Sequence, residues 1–516
     1  MDSPAEGQDS PGAPPGAMTP VIAHDQRRLA ERPSVDERGW GLQDRHRYAR
    51  LTVIQPADWE EPIMLGTRAE IAPDDLIAQA LEHCVFPLAA AEVVQRDGPK
   101  IYVRGEGVRV TDIGGREYLD MMSSHTRANS LGYGNAEVAA AVGKQLEQLH
   151  YVGTVTNLAP PTIELAGKIA DLAPDGLSKV LFVTGGSEAV EAAIKIAKQY
   201  HAHSGKPRAN KIISRWNAYH GATMGALGAT DWLGTRHISE PGVPGYSLIP
   251  GPSRYRNPFG MDEEAYFAFC ADFLERQIEH EGPDYVAAFI AEPVMQAHGV
   301  QTASEAYFRR VRDICDRYGV LLIIDEVITG FGRTGAWFAS EHYGIKPDIM
   351  TMAKALTAGY MPMGAVIARP EIIDALPVFR HVHTFSGHAG AAAAANTVIA
   401  IKEREGLIDQ ARQNGEYMLD SLREFLDPHP IVGQVRGQGM WLAVDFTADK
   451  ETRAPVEDDT VGAVVRRMYD HGVIASPIGT AFELAPPLIA TKADIDQTVR
   501  VAALAIDEVA RERRLV

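Results

Sequence analysis

The 516-residue sequence predicts an α/β fold, in which a large domain with a mostly parallel sheet is joined to a smaller α+β domain. Two observations lead to this prediction. Short apolar runs alternate with helix-length segments through the middle of the chain, which is the rhythm of βαβ units. The chain is also longer than one small core requires, so at least two packed units are expected.

The predicted elements follow in chain order. Residues 1–20 contain few large apolar side chains and are predicted to be a disordered tail. Residues 21–144 form an N-terminal segment, in which two apolar runs within Ala49–Ile71 flank a stretch of turn composition and predict a β-hairpin. Residues 102–121 predict a short meander made of Tyr102–Val110 and Arg116–Met121. Asn135–Gln148 predicts an amphipathic helix.

Six short apolar runs predict the strands of the large domain, residues 145–385. Most are separated by segments long enough for a helix, as a parallel sheet requires. The runs are Lys179–Val183, Lys211–Ser214, Val286–Ile290, Val320–Ile324, Asp348–Met352 and Gly364–Ala368.

The smaller α+β domain is predicted over residues 386–516. It begins with an Ala-rich helix at Ala389–Ala395 and continues with strands in Ile431–Phe446 and Val473–Leu484. A final helix is predicted at Lys492–Arg513.

Composition excludes several functions. The 68 acidic residues outnumber the 50 basic ones, and a net charge of −18 disfavours a nucleic-acid partner. The three cysteines, which are widely spaced, predict neither a disulfide framework nor a metal site. No apolar stretch is long enough to span a membrane, and the N-terminus is unlike a signal peptide. A cytoplasmic protein without a membrane partner is expected.

A carboxylate and a lysine carry the strongest chemical signal. Asp325 ends the apolar run Leu321–Ile324, where a carboxylate needs a buried partner. Lys354 follows the next predicted strand. A carboxylate at a strand end can keep a pyridine nitrogen protonated, and a lysine amine condenses with an aldehyde; a pyridoxal 5'-phosphate (PLP) site requires both groups. The alternative for Asp325 is a helix N-cap.

Two motifs can bind a phosphate. Gly185, Gly186 and Ser187 follow a predicted strand and open a helix over Glu188–Tyr200, where free backbone N–H groups favour an anion. Thr384 precedes the Ala-rich helix and can present a hydroxyl to a second side of the phosphate. The alternatives are an ordinary strand-to-helix turn and simple helix capping.

Two further strand ends can contact a cofactor ring. Tyr219 and His220 follow the strand Lys211–Ser214, and an aromatic ring there can stack on a flat ligand. Glu292 follows the strand Val286–Ile290, at the edge where open α/β sheets bind ligands. The alternatives are a core or rim aromatic side chain and a solvated carboxylate.

Together and in this order, the motifs resemble those of the class III (ω-) aminotransferases, which belong to the fold-type I PLP enzymes. The resemblance extends from about Gly98 to Leu504. Its most specific part runs from Leu322–Val327 through Gly330–Gly335 to Lys354.

The resemblance implies how each residue of the set holds the cofactor. Lys354 would form the Schiff base, and Asp325 would pair with the pyridinium nitrogen. Val327 would pack beneath the ring, Tyr219 would stack above it with His220 beside it, and Glu292 would lie near the ring hydroxyl. The phosphate would be bound by Gly185, Gly186 and Ser187. Thr384 would reach the phosphate of a neighbouring subunit, which implies a homodimer with the active site at the subunit interface.

The implied activity is ping-pong amino transfer through an aldimine and a ketimine, with pyridoxamine 5'-phosphate as the intermediate cofactor form. An amino acid such as Glu, Gln or Ala would be the donor, and an aldehyde or ketone the acceptor. Residues 21–144 would contribute to the small domain and cover the active site. Biosynthetic aminotransferases of the caerulomycin type are similar in general character. The alternatives are a PLP-dependent aminomutase or decarboxylating enzyme, and a non-catalytic binding protein.

The chain departs from the family pattern at one position. Many members carry an arginine that binds the substrate carboxylate where this chain has Ser476. Arg127 is the candidate substitute, with His125 beside it at the expected pocket mouth. The alternative is a surface arginine without a role in binding.

Overall fold

The structure is a computed structural model that describes residues 72–153, 155–232, 234–457 and 459–515. The tail predicted at residues 1–20 and the hairpin predicted at Ala49–Ile71 lie outside the described residues. No helix in the described ranges is long and apolar enough to cross a membrane.

The described part of the chain contains thirteen α-helices. They are α1 (Pro73–His83), α2 (Ala91–Asp97), α3 (Ala136–Gln148), α4 (Pro160–Leu172), α5 (Gly186–His203), α6 (Met224–Gly228), α7 (Glu263–Glu281), α8 (Glu305–Tyr318), α9 (Pro370–Asp374), α10 (Ala389–Arg404), α11 (Leu407–Leu426), α12 (Asp459–Asp470) and α13 (Lys492–Glu512).

The same residues form seventeen strands in four sheets. The strands are β1 (Tyr102–Glu106), β2 (Arg109–Asp112), β3 (Glu117–Asp120), β4 (Lys179–Val183), β5 (Lys211–Arg215), β6 (Tyr246–Ile249), β7 (Val286–Ala291), β8 (Val294–Met295), β9 (Gln301–Thr302), β10 (Leu321–Asp325), β11 (Ile349–Met352), β12 (Gly364–Ala368), β13 (Val432–Gly437), β14 (Leu442–Phe446), β15 (Val473–Ile474), β16 (Ser476–Ile478) and β17 (Ala481–Leu484).

The largest sheet has seven strands in the order β4-β12-β11-β10-β7-β5-β6. All neighbours between β11 and β6 pair in parallel, whereas β12 runs antiparallel to both β11 and β4. The prediction of a mostly parallel sheet is therefore confirmed, with one reversed strand. Because the parallel strands end at the same edge, the residues that follow β5, β7, β10 and β11 come together there.

Helices cover both faces of this sheet. Along β10, Leu322 and Ile324 pack against α7 and α8, whereas Leu321 and Ile323 face the side of α5. This alternation is the two-residue period of a strand that is buried on both faces, and it explains the uninterrupted apolar run in the sequence.

Two smaller sheets have four strands each. In the first, β15 pairs in parallel with β3, which joins the C-terminal region to the strands near residues 102–120. In the second, β13, β14, β17 and β16 pair antiparallel beside helices α11, α12 and α13. The predicted run Tyr102–Val110 is divided into β1 and β2, because Gly107 adopts a φ of 54° and reverses the chain.

Candidate active site

Asp325 lies at the carboxyl end of β10 and is held by three donors. Its Oδ2 is 2.7 Å from Nδ1 of His220, and its Oδ1 accepts hydrogen bonds from Thr351 Oγ1 at 3.1 Å and from the Val327 N–H at 3.0 Å. Both Asp325 and His220 are buried. The carboxylate is fixed in orientation, and its remaining lone pairs can accept one more cationic donor.

His220 completes this pair from the loop after β5. Its Nε2 is buried and lies 4.0 Å from Oε2 of Glu292, without a hydrogen-bond partner among the described residues. A buried polar atom without a partner is rare in a native protein. The unpartnered nitrogen therefore indicates a place for a ligand or a water next to Asp325.

Lys354 follows β11 and opens the 3-10 turn Lys354–Leu356 with a φ of 47°. Burial, with the nearby positive charge of Arg127, lowers the pKa of the Lys354 amine from 10.5 to about 7, while Asp325 and Glu292 oppose the shift. A large part of the amine is thus neutral near pH 7. Only the neutral amine is a nucleophile toward an aldehyde.

This depressed pKa gives a measurable pH dependence. Because Lys354 is protonated below its pKa and neutral above it, we expect PLP to recombine with apoenzyme slowly in acid and faster with rising pH, levelling off above about 7. Stopped-flow absorbance of imine formation measures the rate. A rate that keeps rising toward the ordinary lysine pKa of 10.5 would contradict the predicted shift. The Lys354→Ala protein is the control and should show no such profile.

Glu292 follows β7 and is 5% exposed. Its Oε1 accepts from the backbone N–H groups of Tyr219 at 3.3 Å and of Gln296 at 3.4 Å, and its Oε2 lies 3.4 Å from Arg215 Nη2. Burial raises the pKa of Glu292, and the charges of His220 and Arg215 oppose this shift. The carboxylate is thereby held at the same sheet edge as Asp325.

The turn after β4 forms another side of the site. Helix α5 begins at Gly186, and its first N–H groups point outward from the helix, where an anion binds favourably. The Oγ of Ser187 accepts a hydrogen bond from the Ala222 N–H at 3.2 Å, which ties this turn to the loop of Tyr219. A Cβ at Gly186 would lie 2.7 Å from Cγ1 of Val327, so glycine is required for this approach.

One cleft of about 150 Å³ is bounded by most of the predicted cofactor residues. It is lined by Gly186, Ser187, Tyr219, His220, Gly221, Glu292, Val294, Asp325, Val327, Ile328, Thr329 and Lys354. Gly185 lies next to this lining, as the N-cap of α5. Thr384 is not in it: its side chain is exposed, and its carbonyl accepts a hydrogen bond from Tyr151 at 2.8 Å.

The three predicted substrate residues differ in their burial and in their contacts. Arg127 is 7% exposed and forms an ion pair with Glu483, so the alternative of a surface arginine is wrong. His125 is exposed, two residues earlier in the same turn. Ser476 is half-buried on β16 and pairs across the sheet with Glu483.

Sequence reasoning missed three residues that build the site. Arg215 ends β5 and donates a hydrogen bond to the Glu292 carbonyl. A charged residue at the end of an apolar run was the sequence signal that could have identified it. Glu483 lies between Phe482 and Leu484, so a carboxylate inside an apolar strand also marked it. Thr351 reaches Asp325 through the parallel register of β10 and β11, for which the sequence contains no local signal.

The residues present fit PLP. One cleft is surrounded by a buried carboxylate with free lone pairs, a lysine whose amine pKa is lowered to about 7, a glycine turn at a helix N-terminus and a buried nitrogen without a partner among the described residues. These are the groups that a pyridinium nitrogen, an aldehyde and a phosphate require. Fold and site together define a Schiff-base enzyme of the PLP-dependent class.

Comparison with known proteins extends this result. Residues 92–506 match the family model described as aminotransferase class-III. A probable aminotransferase of Mycobacterium tuberculosis is 40% identical over 410 residues, covering 77% of this chain and 87% of that protein. The putrescine–pyruvate aminotransferase of Pseudomonas aeruginosa is 36% identical over 439 residues, covering 84% of this chain and 96% of that protein.

Solved structures agree with the sequence comparison. The ω-transaminase of Pseudomonas jessenii, in complex with PMP, has a TM-score of 0.82 at 34% identity, covering 84% of this chain and 98% of that one. An (S)-enantioselective ω-transaminase from Thermomicrobium roseum has a TM-score of 0.81 at 38% identity, covering 85% and 99%. The chain belongs to the class III aminotransferases, and it is a PLP-dependent enzyme of fold type I.

Proposed function

We propose that this enzyme transfers the amino group of an amino acid to an aldehyde or ketone by a ping-pong reaction. The observation that carries the proposal is the pairing, in one cleft, of the Lys354 amine with the buried carboxylate of Asp325. When bound, PLP withdraws electrons from the substrate carbon that bears the amino group.

Residues of the cleft would hold the cofactor ring and transfer the proton. Asp325 would keep the pyridine nitrogen protonated, and His220 and Thr351 hold the Asp325 carboxylate in place. The Lys354 amine, free and neutral, would act as the general base that takes the proton from the donor Cα and as the general acid that passes it on. The same amine returns a proton to the acceptor carbon in the second half of the cycle.

The competing reactions on the same scaffold differ in their products. An aminomutase returns the amino group to the same molecule, and a decarboxylating enzyme releases CO₂. We expect purified holoenzyme and an amino acid donor to give the matching 2-oxo acid and pyridoxamine 5'-phosphate in equal amounts, without CO₂. Isomerised amino acid as the product would support the aminomutase instead. A panel of donors against aldehydes and ketones then identifies the substrates.

We infer that the working enzyme is a homodimer. Thr384 is exposed, and so are the apolar side chains of Val382 and Phe385 beside it in the chain, with relative exposures of 68% and 59%. Such a surface is favourable to bury against a second copy of the chain. The two-fold contact would carry Thr384 toward the phosphate site of the neighbour.

The Thr384 hydroxyl gives a direct test of this arrangement. We expect Thr384→Val to weaken PLP binding by roughly 10- to 100-fold, because a hydrogen bond to a charged phosphate is lost. Equilibrium titration of apoenzyme with PLP measures the loss, and Thr384→Ser, which keeps the hydroxyl, is the matched control.

A mixed dimer separates action within one subunit from action across the interface. One subunit carries Lys354→Ala and the other carries Thr384→Val. If Thr384 acts across the interface, the subunit with the intact lysine also receives an intact threonine, and its PLP affinity is normal. Weakened PLP binding at the site with the intact lysine, or a monomer in sedimentation velocity, would overturn the arrangement.

A further inference from the structure

Arg127 and Glu483 form a buried ion pair next to the cleft. Arg127 donates to both carboxylate oxygens, through Nη2 to Oε1 and through Nε to Oε2 at 3.2 Å. Glu483 is fully buried, and its Oε2 also accepts from the indole N–H of Trp441 at 2.8 Å. This bidentate contact is the geometry with which an arginine binds a free carboxylate.

The pair lies within reach of the reacting groups. The 3-10 turn that begins at Lys354 packs against the segment Ser123–Arg127. The positive charge of Arg127 acts on both the Lys354 amine and the Tyr219 hydroxyl. A guanidinium that leaves Glu483 would therefore be near the Lys354 amine, at which an amino acid donor is expected to react.

The backbone that carries Arg127 is strained. Ser123, His125 and Arg127 have φ values of 44°, 67° and 62°, in the left-handed region that side chains other than glycine disfavour. The segment is anchored at its start, where Ser123 Oγ donates to the Ala485 carbonyl at 2.7 Å. Backbone strain that is maintained by the surrounding structure beside a cleft is typical of a functional segment. The cationic side chain of this segment is Arg127.

The strand register explains why the cation comes from this segment. Ser476 on β16 pairs directly with Glu483 on β17, so the two side chains lie on the same face of the sheet. An arginine at position 476 would stand beside the Glu483 carboxylate. Because position 476 is a serine, the cation that pairs with the Glu483 carboxylate comes instead from Arg127.

We propose that Arg127 binds the carboxylate of the amino acid donor by exchanging Glu483 for it, and returns to Glu483 when an uncharged acceptor is bound. The inference rests on the proposed function and gives its substrate classes: a donor with a free carboxylate, and an aldehyde or ketone without one. An unpaired buried guanidinium is costly, and Glu483 removes that cost in the acceptor half of the cycle.

The test compares the two half-reactions in matched variants. With L-glutamate as donor, we expect Arg127→Gln to raise the donor KM roughly 10- to 100-fold, because a charged hydrogen-bonded contact is lost, and to leave the KM of an uncharged aldehyde unchanged. Glu483→Gln should lower the donor KM, because the amide competes less strongly for Arg127. An ion pair that only supports the fold would raise both KM values in both variants.

A rescue experiment addresses the position of the cation. Adding Ser476→Arg to Arg127→Gln should restore most of the donor affinity, since the new guanidinium stands on the same face beside Glu483. Equilibrium binding of L-glutamate to the same variants in a Lys354→Ala background provides a readout that is independent of turnover. Arg436→Gln, which removes a buried arginine paired with Asp445, is the matched control and should leave the donor KM unchanged.

The outcomes separate this inference from the proposed function. If the wild-type enzyme transfers amine from glutamate but Arg127→Gln keeps the same donor KM, only the exchange is wrong. If Glu483→Gln weakens donor binding, the exchange is also wrong. If no amino acid serves the wild-type enzyme as a donor, the proposed function itself fails. Should Arg127→Gln not fold, Glu483→Gln and Ser476→Arg decide the question alone.

Discussion

Replacing Lys354 by alanine should abolish amino transfer, with a loss of about 10⁴-fold or more, since the amine supplies both the covalent attachment and the proton transfer. The fold should be retained, because Lys354 lines the cleft. Borohydride reduction of the holoenzyme followed by peptide mapping locates the modified lysine, and steady-state assays measure the rate.

The control for this experiment is a lysine from the same region. Lys346 is exposed, eight residues earlier (354 − 346 = 8), and Lys346→Ala should keep both the activity and the reducible imine. Amine transfer that persists in Lys354→Ala, or a modified peptide without Lys354, would refute the role given to this residue.

The second large effect is expected at Asp325. Asp325→Asn keeps the shape of the side chain but removes its charge, so the pyridine nitrogen is no longer held protonated. We expect the turnover rate to fall by roughly 100- to 1,000-fold, as for the loss of a preorganised electrostatic contact. The absorbance of bound cofactor should change together with the rate, because both depend on the protonation of the ring.

Asp348 provides the comparison for Asp325→Asn. It is another buried carboxylate of the same sheet, which accepts from the Leu322 N–H at 2.7 Å and from Arg312 Nη1 at 2.8 Å. Asp348→Asn should lower the thermal stability without changing the cofactor spectrum. A spectrum that is identical in wild type and Asp325→Asn would show that this carboxylate does not contact the cofactor ring.

The central sheet could be predicted because its strands are short and buried on both faces. The predicted runs Lys179–Val183 and Gly364–Ala368 coincide with β4 and β12, and Lys492–Arg513 differs from α13 by one residue. The direction of β12 could not be predicted, because an apolar run has the same pattern in either direction. The hairpin at Gly107 was missed because a single glycine within a strand-like run is a weak turn signal.

The candidate site was predictable where its residues end strands. Asp325, Glu292 and Tyr219 follow apolar runs, and parallel strands place such positions at a common edge. The partner of Arg127 could not be predicted in the same way. Arg127 and Glu483 are 356 positions apart and meet only because separate elements pack together, so no local pattern records the contact.

The contact between Gly186 and Val327 has a consequence for how this enzyme can be altered. A Cβ at Gly186 would lie 2.7 Å from Cγ1 of Val327, and both residues line the cleft. Enlarging either side chain would displace the other, so we expect the two positions to tolerate change only together, with a smaller residue at 327 compensating for a larger one at 186.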